Sequence, residues 1–203
     1  MTRNHSPGGA GNPFSTRYVR PGALSFEFPP ETSAARLVDK LADLNWRGQI
    51  IGPHGSGKST LLAALVEELG RRGHAVRCYE LHDGQRRLPS RPLREIAGSE
   101  PELCVIDGYE QLSWLSRARL KWSLARRRAG LLITAHLDLG LPVLMRTEVT
   151  SDLARRLVAR LLEACNGEIK TADIDAAWQN SGGNLREMFF ELYDAFESRR
   201  AGR

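Results

Sequence analysis

Two short stretches of the chain are apolar at nearly every position, "LCVI" at 103–106 and most of "GLLITAH" at 130–136, and "QII" at 49–51 reads as the end of a further short strand. Each is too short for a helix. Continuous apolarity over four to six residues predicts strands buried on both faces, as in a parallel sheet. "HAVRCYEL" (74–81) and "LPVLMRTEV" (141–149) predict two more strands. Between them the spacing changes to that of helices. Residues 33–44 place Leu37, Val38, Leu41 and Leu44 on one side, and residues 59–69 follow the same rule. In residues 112–128, Leu112, Leu115, Trp122 and Ala125 can line one packed side while the arginines face out. "HDGQRRLPSRP" reads as loop, and "LREIAGSEP" as one or two helical turns. Strands alternating with helices predict an α/β three-layer sandwich around a parallel sheet.

At residue 150 the pattern becomes purely helical. Leu153, Leu157, Leu161 and Leu162 mark one helix, with Thr150 or Ser151 as its cap; "KTADIDAAWQNS" marks a second, capped by Thr171. Ser181 caps or opens the turn into a third, whose apolar face is Leu185, Met188, Phe189, Leu192, Tyr193 and Phe196. The expected organisation is a flexible tail at 1–20, an α/β core at 21–149 and a small all-helical lid at 150–200.

The first core strand runs into "IGPHGSGKST". Gly52, Gly57, Lys58 and Ser59 complete the pattern G-x-x-x-x-G-K-[ST], between a strand and a helix as that motif requires. Glycines let successive N–H groups turn inward around phosphate oxygens, and the following helix adds its positive end. The expectation is an ATP site lined by Gly52, Pro53, His54, Gly55, Ser56, Gly57, Lys58, Ser59 and Thr60. Lys58 would reach the β- and γ-phosphates and the Ser59 hydroxyl would ligate Mg2+. A carboxylate at the tip of a neighbouring strand completes such a site. Asp107, directly after "LCVI", has that place and is the second expected Mg2+ ligand. For the residue that orients water there are two candidates, Glu110 and, near the end of the second strand, Glu80. Thr134 and His136 end "LLITAH" and are candidate γ-phosphate sensors.

Composition narrows the setting. With 41% hydrophobic and 26% charged residues, the 203-residue chain is of ordinary globular type. No run approaches a bilayer span, and residues 1–12 lack the apolar segment of a secretory signal. Cys78, Cys104 and Cys165 are far apart and read as small buried hydrophobes in a reducing cytoplasm. The net charge is +5, and two acid-free stretches dominate it: residues 86–94 (Arg86, Arg87, Arg91, Arg94) and 117–128 (Arg117, Arg119, Lys121, Arg126, Arg127, Arg128). Such patches suit DNA phosphates, a neighbouring subunit of a homo-oligomer, or an acidic protein partner.

Together these residues resemble a compact AAA+ ATPase, related in pattern to origin-recognition, initiator-loader and transposition-accessory ATPases. "GPHGSGKST" matches Walker A, "LCVIDGYEQL" matches Walker B and "LLITAH" is similar to the sensor 1 strand. "SGGNLREMFFELYDAF" resembles the start of the lid's third helix, which implies a sensor 2 role for Arg186. The resemblance spans about residues 37–197 and implies ATP hydrolysis driving a conformational switch or assembly, with DNA among the expected partners. Two departures stand out. Gly108 replaces the glutamate that usually follows the Walker B aspartate, and no arginine finger is unambiguous among Arg146 and Arg126–Arg128. Hydrolysis is therefore expected to be slow. A nucleotide-dependent scaffold without DNA, or a small-molecule kinase, are the alternatives.

Overall fold

A computed structural model describes residues 11–82, 84–88, 103–163 and 169–201. The helical turns expected within 93–101, most of the basic loop 86–94, and Cys165 lie outside the described residues. The chain divides into two compact units, one of Ser25–Pro53 and Lys58–Thr147, the other of Met1–Leu24, His54–Gly57 and Glu148–Arg203.

The first unit is the α/β sandwich. After the helical turn α1 (Thr16–Val19), which belongs to the other unit, come α2 (Ala34–Asp43), β1 (Arg47–Ile51), α3 (Lys58–Arg71) and β2 (Val76–Glu80). Then follow β3 (Leu103–Asp107), a 3-10 turn (Tyr109–Gln111), α4 (Trp114–Arg127), β4 (Gly130–Ala135) and β5 (Val143–Arg146). The five strands order as β2-β3-β4-β1-β5, and every pair is parallel. The apolar runs occupy the three central strands, where burial on both faces demands them: all six residues of β4 and the first four of β3 are buried. Ser33 caps α2 by accepting from Arg36 N–H. One face of the sheet carries α2 and α3, joined through Leu41, Ile50, Leu61, Leu65 and Leu132; the other carries α4 through Leu120, Leu124, Ile106 and Ile133.

Two expectations need correction here. Cys78 lies on the edge strand β2 and is exposed, whereas Cys104 on β3 is buried. On α4 the packed stripe is Leu120 and Leu124, while Leu115, Trp122 and Ala125 face outward; only Leu112, before the helix, is buried. The helix contains two apolar stripes, and the sheet takes the leucine one.

The second unit is built on α5 (Ser151–Glu163), α6 (Thr171–Asn180) and α7 (Leu185–Ala201). Its core joins Leu157, Val158, Ile174, Met188, Leu192 and Phe196. Residues 11–20, expected as tail, and residues 21–24, expected in the α/β core, belong to this unit. Phe14 is 2% exposed, with its ring against Phe189 and Phe196, and Asn12 Nδ2 donates to Tyr193 O and Glu197 Oε1. Thr150 Oγ1 caps α5 from Leu153 N–H as expected, but Lys170 occupies the cap position of α6 and Asn184, not Ser181, caps α7.

Candidate functional site

The core unit gathers its candidate residues at the C-terminal ends of β1, β3 and β4, which are neighbours only because the sheet order places β4 between the other two. Lys58 opens α3 and is buried. Its ammonium donates to Gly52 O and Pro53 O, both at 2.7 Å, and lies 3.1 Å from His136 Nδ1. The same Nδ1 lies 3.1 Å from Gly52 O, so it accepts from the ammonium in one tautomer and donates to the carbonyl in the other. Nε2 faces Glu110 Oε1 at 3.1 Å. Lysine, imidazole and carboxylate thus form a continuous chain. Burial pushes the Lys58 pKa below the usual lysine value, against the pull of the Glu110 and Asp107 charges.

Glu110 reaches this position because of the turn before it. Gly108 has φ +75°, and a Cβ there would come within 2.8 Å of Leu81 O. No glutamate fits beside Asp107 without strain. The 3-10 turn Tyr109–Gln111 instead delivers a carboxylate three residues on. Glu110 Oε2 is buried and has no hydrogen-bond partner among the described residues. A buried carboxylate oxygen without a donor is costly, and a water or ligand group is the natural donor. Glu80 is not part of this cluster. Its side chain is 71% exposed, near His82 at 3.9 Å.

Thr134, on β4, is 1% exposed. Its hydroxyl donates to Asp107 Oδ1 and accepts from Gly108 N–H at 2.9 Å. Thr134 therefore holds the end of β3, fixing Asp107 and the glycine turn together. Gln49, fully buried on β1, plays a matching part: its amide donates to Asp138 Oδ1 at 2.7 Å and to Leu141 O, and accepts from Leu139 N–H at 3.0 Å. It pins the loop that follows His136. The sequence reading missed Gln49, although a lone amide inside an apolar strand was a visible signal. Ser59 and Thr60 are half-buried in the first turn of α3. Arg146, at the end of β5, is exposed.

In the helical unit, the loop tip His54–Gly57 is set by Gly55 at φ +67° and Gly57 at φ +85°. A Cβ on Gly55 would overlap Asn184 Oδ1 and lie 3.0 Å from Leu185 N, so glycine is required twice over. Ser56 is buried; His54 is exposed. Asn184 Oδ1 accepts from Arg186 N–H at 3.0 Å, which places Arg186, exposed, in the first turn of α7.

The residues that the core unit gathers fit the chemistry of a nucleotide with Mg2+: an ammonium, a hydroxyl, a strand-end carboxylate and a buried Glu110 oxygen without a donor among the described residues. No candidate metal cluster of His, Cys, Asp or Glu occurs among the described residues. No helix among the described residues is long and apolar enough to cross a membrane.

No protein-family model matches the chain, and no curated protein matches it in sequence. Solved structures do. The replication initiator DnaA bound to AMPPCP and single-stranded DNA superposes with a TM-score of 0.57 at 16% identity, over 87% of this chain and 67% of that one. AMPPCP-bound DnaA from Aquifex aeolicus gives 0.54 at 16% identity, over 87% and 68%. A DNA replication initiation factor gives 0.53 at 15% identity, over 82% and 63%. These likenesses show the fold alone: an α/β three-layer sandwich with a parallel sheet, plus a C-terminal helical region.

Proposed function

We propose that the protein binds ATP with Mg2+ and hydrolyses it slowly as a conformational switch acting on a macromolecular partner. The observation that carries this reading is the Lys58–His136–Glu110 chain, with the second Glu110 oxygen buried and unpartnered. Lys58 supplies the charge for phosphate oxygens, exchanging its Gly52 and Pro53 carbonyls for them. Ser59 and Asp107 would hold the metal, and Thr134 holds Asp107. Bound Mg2+ would neutralise phosphate charge as it develops. Glu110 Oε2 accepts from the attacking water and orients it, while His136 holds Oε1. Arg186, on the helix whose cap touches the loop tip, is the proposed fork for phosphate oxygens.

The likeness to a DnaA complex with single-stranded DNA makes DNA one candidate partner. The arrangement of the basic helix favours the protein-scaffold reading instead. Arg117 is drawn inward, donating to Glu110 O at 2.7 Å and Leu112 O at 2.9 Å, and Arg127 is half-buried. The remaining cations, Arg119, Lys121, Arg126 and Arg128, share their surface with exposed tryptophans.

Calorimetry tests the nucleotide reading. Lys58→Ala, verified as folded, is expected to lose Mg2+-dependent ATP affinity by about tenfold or more. Undiminished affinity refutes the site. Phosphate release in Glu110→Gln is expected to fall by about a hundredfold with ATP affinity retained. Unchanged turnover removes Glu110 from the mechanism, and phosphate appearing on a small acceptor instead of in water favours a kinase.

A further inference from the structure

The outward face of α4 carries more apolar surface than a solvated helix needs. Trp114 is 75% exposed, Trp122 64% and Leu115 50%; Ala118 and Ala125 lie on the same face and are also exposed. Leu115, Ala118, Trp122 and Ala125 follow one another at spacings of three, four and three. That is the seam of a two-stranded coiled coil, repeated over two heptads. The alanines leave hollows between the large side chains, which knobs of a facing helix can enter. The inward face is already satisfied by Leu120 and Leu124, each 1% exposed.

The positions flanking the seam decide the partner. They are Trp114, Arg119, Lys121 and Arg126, and α4 contains no acidic residue. A second copy of this helix would set Arg119, Lys121 and Arg126 against the same cations, so self-pairing is opposed. Nucleic acid would match the charge but not the heptad spacing. The Arg126 guanidinium also covers one face of the Trp122 ring, 4.7 Å from its centroid, so that face is closed to a stacking base. We propose that α4 is a docking surface for an amphipathic helix of a partner protein, with apolar residues along its seam and acidic residues beside it. Tryptophan and arginine are both enriched among the residues that dominate binding energy. This surface lies on the core unit and its recognition does not require the nucleotide reading.

A synthetic helix tests it: about four heptads with leucine at the seam and glutamate at the flanks, compared with a twin carrying lysine at the flanks. Like charges along each peptide discourage it from pairing with itself. Fluorescence anisotropy of the labelled peptides is expected to show binding of the glutamate helix only. Trp122→Ala and Leu115→Ala, shown folded by circular dichroism, should each weaken it about tenfold or more. Arg119→Glu with Arg126→Glu should move the preference to the lysine twin. The proposal is overturned if the folded protein binds neither peptide at low salt, or binds both equally. It is also overturned if an oligothymidine strand binds in a Trp122-dependent way while the glutamate helix does not. Self-association abolished by Leu115→Glu, seen by sedimentation, would assign the face to a second copy instead.

Discussion

The helices α3 and α4 are both fourteen residues long and both cover the same parallel sheet, one on each face. Their sequences answer that task differently. On α3 the apolar residues are spent inward: Leu61, Leu65 and Leu69 have no exposed surface, and Glu67 and Arg71 face out. On α4 two leucines suffice for packing, and the larger apolar groups, Trp114 and Trp122, face out. The fold accounts for α3 entirely and for only half of α4. Apolar surface that the fold does not use marks an interaction.

The largest effect expected from this contrast is on stability. Leu65→Ala should cost about 2–5 kcal/mol, because α3 cannot collapse into the space left between β1 and α2. Trp122→Ala, a larger truncation, should change stability by no more than about 0.5 kcal/mol. Urea unfolding of both variants measures this. A Trp122 cost comparable with that of Leu65 would mean that the outer face of α4 is already packed, and the contrast would fail.

The turn that introduces α4 comes next. Gly108→Ala puts a side chain at φ +75° against Leu81 O, with an expected cost of about 1–3 kcal/mol. Because the same turn carries Glu110, phosphate release should fall along with stability. Loss of stability with turnover unchanged would separate Glu110 from the chemistry. Smaller still is the effect of Arg126→Ala, which removes the guanidinium from Trp122 and should cost less than about 1 kcal/mol. Trp fluorescence should respond more than the melting temperature does.

How these contrasts stood in the sequence depends on what each signal measures. Continuous apolar runs at 103–106 and 130–135 specify strands buried on both faces, and the sheet contains them there. Helical spacing identifies stripes but not which stripe meets the sheet, so residues 112–128 were read with Trp122 inward. The side packed is decided by Ile106 and Ile133, which lie on other elements. The pairing of His136 with Glu110 is similarly out of reach: both residues are candidates, but 26 positions, a helix and a strand separate them. Phe14 stood in a polar, glycine-rich stretch that carried no periodicity at all.

The smallest prediction returns to α3. Glu68 accepts from Arg71 and Arg72, and these bonds hold its carboxyl at about 2, below the ordinary 4.5. A depressed carboxylate contributes stability that is present above 4.5 and lost as pH falls from there toward 2. Glu68→Gln should therefore flatten the decline of the melting temperature across that window and leave the slope at neutral pH unchanged. The ions lie at the surface, so the change should be slight. An identical acid profile in the variant would remove the pair from the account of α3.

The bonds from Asn12 to residues near the end of α7 cross 181 and 185 positions of chain. During synthesis the α/β unit has all its strands once Thr147 has left the ribosome, whereas the helical unit must keep Phe14 waiting until Phe189 and Phe196 emerge. The loop tip His54–Gly57 clusters with those late helices. Closure over so long a span slows assembly more than it weakens the finished state. A newborn chain would thus hold its sheet before the loop tip His54–Gly57 met the start of α7, and that tip would be among the last backbone to be set.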